Sequence, residues 1–282
     1  MNNFESLTGM PSNQKFLITL DCDGTLLTEK KTISPATRNY LKYLEEKGNI
    51  VAIASGRPSR AILPYYNELD LKGPFIAYNG ALTIDPKDSS FKPLEIKVKN
   101  EVVRDFLNHF GEDTFFNLMA EDEEDLYYLR DEDIFDDFFH PRDINKHVGS
   151  LLKGMKKDVF TLIVQCHDQS RHKAMSDYIA TQYEDLGIRY WYDAPLFGEF
   201  YHYSVNKATS MEYLEHYYHI DKAHTISFGD APNDLEMIRK AGISFAMKNG
   251  SDLLKKESTF ITPADNDHDG IYLALRKLFE GK

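Results

Sequence analysis

Cysteine is scarce in this sequence: Cys22 and Cys166 are the only two among 282 residues. Two thiols build neither a disulfide framework nor a cysteine-rich metal cluster, so a reducing compartment is the expectation. Long apolar runs are absent as well, and none approaches the roughly 18 residues that a membrane span needs. The opening "MNNFESLTGMPSNQ" has neither the basic start nor the apolar stretch of a secretory signal. A soluble, cytoplasmic protein with no membrane partner is therefore expected. Positive charge is in deficit: 33 Lys and Arg against 45 Asp and Glu leave a net charge of −12. Such a balance argues against a binder of nucleic acid or of anionic lipid. A small phosphorylated substrate stays open, because one local cation is enough to receive it. Repeats and low-complexity tracts are missing too, and the length allows one or two domains.

Against these absences stands a crowding of acid. The stretch "KFLITLDCDGTLL" reads as a buried strand ending in Asp21 and Asp23, one residue apart, ahead of Gly24-Thr25. Two carboxylates about 4 Å apart repel by roughly 4 kcal/mol at an effective dielectric near 20. A cation, a held proton, or both should answer that charge.

The near-continuous apolar runs "KFLITLD" (15–21), "NIVAIAS" (49–55) and "PFIAYNG" (74–80) predict buried parallel strands. Ser34-Pro35 and Gly48 bracket a helix over 35–47. "HTISFGD" (224–230), "GISFAM" (242–247) and "TFITP" (259–263) continue the alternation of strand and helix. The expected fold class is α/β, with a doubly wound, mostly parallel Rossmann-like core sheet. The middle of the chain reads differently. A hairpin in "LTIDPKDSSFKPLEIKV", a helix over 100–110, strands in "TFFNLMAE", "DLYYLR", "DVFTLIVQC" and "IRYWYD", and a helix near 170–186 make an α+β pattern. The predicted domains are thus a discontinuous core, 1–83 and 194–282, and an inserted α+β cap, 84–193. The acidic segments 121–125 and 131–137 read as solvated turns. Phe135, Phe138, Phe139 and the aromatics Tyr190 to Tyr192 read as cap core. The histidines, His140, His147, His167, His172 and His202 among them, show no metal-ligand spacing.

Asp21/Asp23, Ser55-Gly56-Arg57, Asn79-Gly80 and Gly229-Asp230 all fall at C-terminal ends of predicted core strands, where open α/β sheets bind ligands. Asp21, Asp23 and Asp230 are therefore expected to converge. Hard oxygen ligands with no Cys/His set favour Mg²⁺.

"DCDGTLL", "SGR", the lysine of "SVNKATSM" and "GDAPNDLEM" occur in the order and approximate spacing of the four motifs of haloacid-dehalogenase-like phosphatases. The chain resembles the Cof-type branch of that superfamily, whose α+β cap follows the third core strand. "YNGA" at 78–81, "SFAMKNGSDLLKK" at 244–256 and "DNDHDGIYLALRKLF" at 265–279 resemble it too. The likeness covers the core; the cap matches in position and size. Cys22 stands where the family usually has an apolar residue, and the lead-in before the first strand is longer than usual.

The resemblance implies a role for each motif residue. Asp21 is the implied nucleophile, forming an aspartyl-phosphate. Asp23 is the implied general acid and then base, with its backbone carbonyl toward the metal. Asp21, Asp23 and Asp230 are the implied Mg²⁺ ligands. Cys22, Ser55, Gly56, Lys207 and Asn233 are the implied phosphate-binding residues, Lys207 also offsetting charge in catalysis. Asp234 is implied behind the metal ligands. The expected function is Mg²⁺-dependent hydrolysis of a small phosphorylated metabolite, a sugar phosphate or similar phosphomonoester. A phosphomutase on the same core is the alternative. A non-catalytic phospho-accepting regulator is a third reading, against which Asp23 and the large insert weigh.

Overall fold

The structure, a computed structural model, describes residues 14–132, 144–191 and 194–281. By its contacts the chain divides into two compact units. The first comprises residues up to Gly56, Ile62–Leu94 and Asn206 onward; the second comprises Arg57–Ala61 and Glu95–Val205.

The first unit begins with β1 (Leu17–Leu20), every residue of which is buried. The chain then forms the helix Pro35–Glu46, started by Ser34, whose hydroxyl accepts the Thr37 N–H at 3.3 Å. Tyr40, Leu41 and Leu44 bury its inner face. Gly48, at φ 92°, reverses the chain into β2 (Ile50–Ile53). β3 (Phe75–Ala77) meets β2 at a single parallel bridge, Ala54 with Ile76. It then pairs antiparallel with β4 (Leu82–Ile84), and β5 (Leu94–Glu95) completes that small sheet.

The run at 74–80, expected as a core strand, thus ends early. Tyr78, Asn79 and Gly80 take φ of 49°, 55° and 107°, which turns the chain back along β3.

The second unit is built on a sheet of β6 (Phe115–Glu121), β7 (Asp125–Tyr128), β8 (Asn145–Val148), β9 (Thr161–Cys166), β10 (Leu186–Tyr190) and β11 (Phe197–His202). Its order is β10-β11-β9-β6-β7-β8, antiparallel except for β7 with β8. One face packs a core of Phe106, Phe115, Leu118, Val164 and Ile179, to which the helices Asn100–Phe110 and His172–Gln182 contribute. β8 and β11 have no counterpart among the expected strands. β8 is exposed at all four positions, and Gly198 breaks the β11 pattern because Ile188 and Tyr190 crowd it.

The acidic run at 121–125 also departs from the expected solvated turn, since Glu121, Asp122 and Asp125 are all buried. Asp122 accepts the N–H groups of Glu124 and Asp125, both at 2.8 Å, closing the turn locally. Lys157 donates to Glu124 and Asp125, each at 2.6 Å. The readings at Phe135, Phe138, Phe139, His140 and Tyr192, and residues 133–137 of the second acidic segment, lie outside the described residues.

The chain returns to the first unit through the helix Lys207–Tyr218, capped by the Asn206 side chain on the Thr209 N–H at 2.9 Å. β12 (Thr225–Gly229), β13 (Ile243–Ala246) and β14 (Phe260–Ile261) complete the sheet β14-β13-β12-β1-β2, parallel throughout. Leu17, Ala52, Met211 and Met237 cluster on one face. Alternate residues such as Ile18 and Val51 point to the other. The expected α/β class with a parallel core sheet is what the structure has. Among the described residues no helix is long and apolar enough to cross a membrane.

Candidate active site

The N–H of Asp21 still donates to the Phe228 carbonyl at 3.0 Å, so the sheet holds this residue although β1 has ended. The chain then doubles back: Leu26 N–H donates to the Asp21 carbonyl at 3.1 Å and Leu27 N–H to that of Cys22 at 2.9 Å. Gly24 makes this turn possible at φ 74°. A Cβ there would lie 2.5 Å from Asp230 Oδ2, so the Asp230 carboxylate rests against a bare backbone.

Asp230 follows β12, the neighbour of β1, and Thr25 Oγ1 donates to its Oδ1 at 2.8 Å. Asp234 Oδ2 accepts the N–H groups of Asp230 and Ala231, both at 3.0 Å. Its Oδ1 accepts from Lys207 Nζ at 2.6 Å, and the same ammonium donates to Asp21 Oδ1. Lys207 and Asp234 are fully buried. One lysine at a helix start thereby ties the end of β1 to the turn after β12.

Asp21, Asp230 and Asp234 each offer a carboxylate oxygen within 4.8 Å of the others. Three carboxylates around one ammonium leave an excess of negative charge. Burial, reinforced by Asp234, pushes the Asp21 carboxyl well above the usual range despite Lys207. Burial likewise lifts Asp230 to about 6. Burial works against the charge of Lys207, yet Asp21 and Asp234 outweigh it and hold that ammonium above its ordinary pKa. Carboxyls that resist ionisation mark a place short of positive charge, and the donors are all hard oxygens. A small divalent cation fits that set.

Asp23 is placed differently. Its carboxylate, 42% exposed, accepts from Lys31 Nζ at 2.6 Å and is not one of the three clustered groups. Cys22 is fully buried and is not in a disulfide. Ser55, also buried, spends its N–H on the Ile76 carbonyl, and its own carbonyl accepts the Asn79 N–H at 2.9 Å. Asn233 Nδ2 donates to Asn79 Oδ1 at 3.0 Å, and a Cβ on Gly56 would come within 3.0 Å of that same oxygen. Ser55, Gly56, Asn79 and Asn233 are therefore joined through one amide. Arg57 groups with the second unit.

Two contacts have no counterpart among the motif readings. Lys31 on Asp23 is one, and no pattern around Lys31 marks it. Asn249 Nδ2, which donates to the Gly24 carbonyl at 2.8 Å, is the other. It lies in "SFAMKNGSDLLKK", where the resemblance was visible but no role was attached to the residue.

The sequence matches the family of haloacid dehalogenase-like hydrolases over residues 18–275. The chain belongs to that family. A 5-amino-6-(5-phospho-D-ribitylamino)uracil phosphatase of Bacillus subtilis is 31% identical over 264 residues, covering 94% of this chain and 97% of the relative. A phosphatase of the same name from Escherichia coli is 26% identical over 279 residues, covering 94% of this chain and 96% of the relative. A haloacid dehalogenase-like hydrolase of Bacteroides thetaiotaomicron superposes with a TM-score of 0.79 at 27% identity, covering 94% of this chain and 99% of that one. This hydrolase is accordingly an enzyme, a phosphatase of the haloacid dehalogenase-like family.

Proposed function

We propose that the enzyme hydrolyses a small phosphomonoester with Mg²⁺, through an aspartyl-phosphate on Asp21. The observation that carries this reading is the buried Lys207 bridging Asp21 and Asp234 beside Asp230. Asp21, Asp230 and the backbone carbonyl of Asp23 would hold the metal. When bound, Mg²⁺ supplies positive charge against the phosphoryl oxygens and the clustered carboxylates.

In this reading the chain's own groups act in two steps. A carboxylate oxygen of Asp21 attacks phosphorus, and the ester P–O bond breaks as the Asp21 O–P bond forms. Asp23, as carboxylic acid, gives its proton to the departing alkoxide. Asp23, now a carboxylate, takes a proton from water. The resulting hydroxide displaces Asp21 from phosphorus and frees inorganic phosphate. Lys207 orients Asp21 and favours its ionised form against the burial that raises its pKa, and Asp234 fixes Lys207 because two backbone N–H groups hold its other oxygen. Ser55, the N–H of Gly56 and Asn233 receive the phosphate oxygens, with the buried backbone at Cys22 alongside.

Sugar phosphates and related polyol phosphates form the proposed substrate class. The B. subtilis relative is named for a substrate carrying its phosphate on a ribityl chain, which extends the class to open-chain polyols. The second unit, Glu95–Val205 with Arg57–Ala61, is the proposed cap. Two buried cysteines outside any disulfide suit the proposed reducing cytoplasm. Phosphate release from p-nitrophenyl phosphate and a sugar-phosphate panel, with Mg²⁺ and after EDTA stripping, tests the proposal. Hydrolysis should require the metal, and full activity in the stripped enzyme would refute it.

A further inference from the structure

Two stretches of the first unit have no part in the reaction described above: residues 248–251 after β13 and residues 265–267 after β14. Both reach the turns that carry proposed metal ligands. Asn249, exposed at its own position, donates from Nδ2 to the Gly24 carbonyl at 2.8 Å. Its Oδ1 accepts the Asn266 N–H at 3.2 Å, and Asn266 Nδ2 donates to the Leu27 carbonyl at 2.9 Å. Each end of the Asn249 amide has a partner that only that end can serve, so the amide has one orientation. Two linked amides thus hold the turn after Asp23 at the Gly24 and Leu27 carbonyls.

The same loop grips the neighbouring turn through its backbone. Met247 N–H donates to the Gly229 carbonyl at 2.9 Å, and Ser251 N–H to that of Asp230 at 2.8 Å. A Cβ on Gly250 would lie 3.0 Å from Asp230 Cα, so the two backbones touch there. The loop is itself fixed. Lys248 N–H donates to Thr262 Oγ1 at 2.9 Å, and Ser251 Oγ accepts the Leu254 N–H at 3.3 Å to start the helix Asp252–Glu257. Residues 247–251 therefore join the turn of Asp230 to the turn of Asp23, by backbone on one side and by the Asn249 side chain on the other.

That side chain acts where the chain is least able to hold itself. Gly24 sits at φ 74° without a Cβ, and its backbone is freer to rotate than that of its neighbours. Peptide groups are planar, so only the φ and ψ of Gly24 separate its own carbonyl from the peptide that bears the Asp23 carbonyl. The excess negative charge of the clustered carboxylates pushes carbonyl oxygens of this turn away unless something holds them. We infer that Asn249 is a positioning residue: its amide, seated on Asn266, fixes the Gly24 peptide so that the Asp23 carbonyl and the Asp230 carboxylate are set for the divalent cation before it binds. The inference rests on the metal-dependent phosphatase reading above. Asn249 acts through Gly24 rather than on the phosphate, removing motion that metal binding would otherwise have to stop.

The test titrates Mg²⁺ alone into the EDTA-stripped full chain by calorimetry, for the wild type, Asn249→Ala and Asn249→Asp. Thermal unfolding of the stripped proteins and Mg²⁺-dependent hydrolysis of p-nitrophenyl phosphate accompany it. Asn249→Ala should weaken Mg²⁺ binding about tenfold. Because the lost bond is exposed to water, its stripped form should unfold near the wild-type temperature. The Mg²⁺ concentration giving half-maximal hydrolysis should rise by the same factor, while kcat at saturating Mg²⁺ falls less. Asn249→Asp is nearly the same size and its carboxylate still accepts from Asn266, but it has no N–H for the Gly24 carbonyl. Its added negative charge would by itself draw Mg²⁺ in, so weakened binding in this variant too isolates the lost donor. Unchanged Mg²⁺ affinity in Asn249→Ala, tighter binding in Asn249→Asp, or a loss confined to kcat would overturn the inference. So would a lower metal-free unfolding temperature in both variants, the mark of a merely structural bond. A stripped wild type that binds no Mg²⁺, or that hydrolyses the probe without it, overturns the metal-dependent reading instead, and the inference falls with it.

Discussion

Lys207 is the residue on which the charge of the site turns, because it is a fully buried ammonium shared by two carboxylates. Replacing it with methionine would strand Asp21 and Asp234 without a cation. Breaking a buried pair this way costs about 3–5 kcal/mol, so Lys207→Met should lose that much in denaturant unfolding as well as its turnover. The two aspartates of the opening motif separate by role. Asp21→Asn should abolish hydrolysis. Asp23→Asn keeps the nucleophile and should slow the proton-dependent steps by about 10²–10⁴-fold. Given an aryl phosphate, whose leaving group needs little protonation, it should accumulate phosphate on the peptide bearing Asp21, as read by mass spectrometry. Steady-state turnover at the wild-type rate would refute the assignment of Asp23. Glu121 provides a pH signature. Burial raises its carboxyl from 4.5 to about 8 against the pull of Arg60. A raised carboxyl favours the folded state at low pH, so its contribution is full below pH 4.5 and is lost as pH rises through 8. Stability measured between those limits should fall with pH less steeply in Glu121→Gln than in the wild type. Asp21, Lys207 and Asp230, which the structure brings together, are legible in the sequence because they fall at predicted strand and helix ends; the carboxylate of Asp23, expected beside them, lies on Lys31 instead. The Lys31–Asp23 and Arg60–Glu121 pairs are not legible, since any lysine or arginine near a carboxylate in space forms them and no spacing announces it.

At the scale of elements, the turns position the groups more than the strands do. Gly24 and Gly80 both have positive φ and both face an obstacle: Asp230 Oδ2 at 2.5 Å for Gly24, and the Asn206 carbonyl oxygen at 2.3 Å for Gly80. Gly48 has φ 92° with nothing within 4 Å. These three glycines therefore separate backbone strain from collision. Gly48→Ala should cost only the strain of a left-handed alanine, about 1–2 kcal/mol, and leave turnover intact. Gly80→Ala pushes on the residue that caps the Lys207 helix, and Gly24→Ala pushes on Asp230. Both should lose at least tenfold in kcat/KM beyond any change in stability. Similar kinetics for all three would show that the close approaches do not hold the site. β1, β2, β12 and β13 are readable from sequence because each is buried at every position and so leaves a nearly continuous apolar run. The turn after β3 reads as strand because the apolar run continues into Tyr78, which is buried like the strand residues before it. β8 and β11 escaped notice because an edge strand in water and a glycine-broken strand carry no such run.

The whole molecule has two compact units, each with its own hydrophobic cluster. Every proposed metal ligand belongs to the first. That division gives the metal assignment a test that does not depend on catalysis. A cation that binds only the folded first unit stabilises that unit by mass action, by about 2.7 kcal/mol when free Mg²⁺ is a hundred times its dissociation constant. The second unit gains nothing from the same ion. Calorimetry of the full chain should therefore resolve the two cores by their response, with Mg²⁺ raising the transition of the parallel-sheet unit and leaving that of the antiparallel-sheet unit in place. Asp230→Asn should erase the shift. It should not lower the metal-free transition, because it removes one of three crowded carboxylates whose mutual repulsion already opposes folding. A shift that survives Asp230→Asn, or one that falls on the transition of the second unit, would mean that the cation is held by other residues and that the crowded carboxylates share a proton instead.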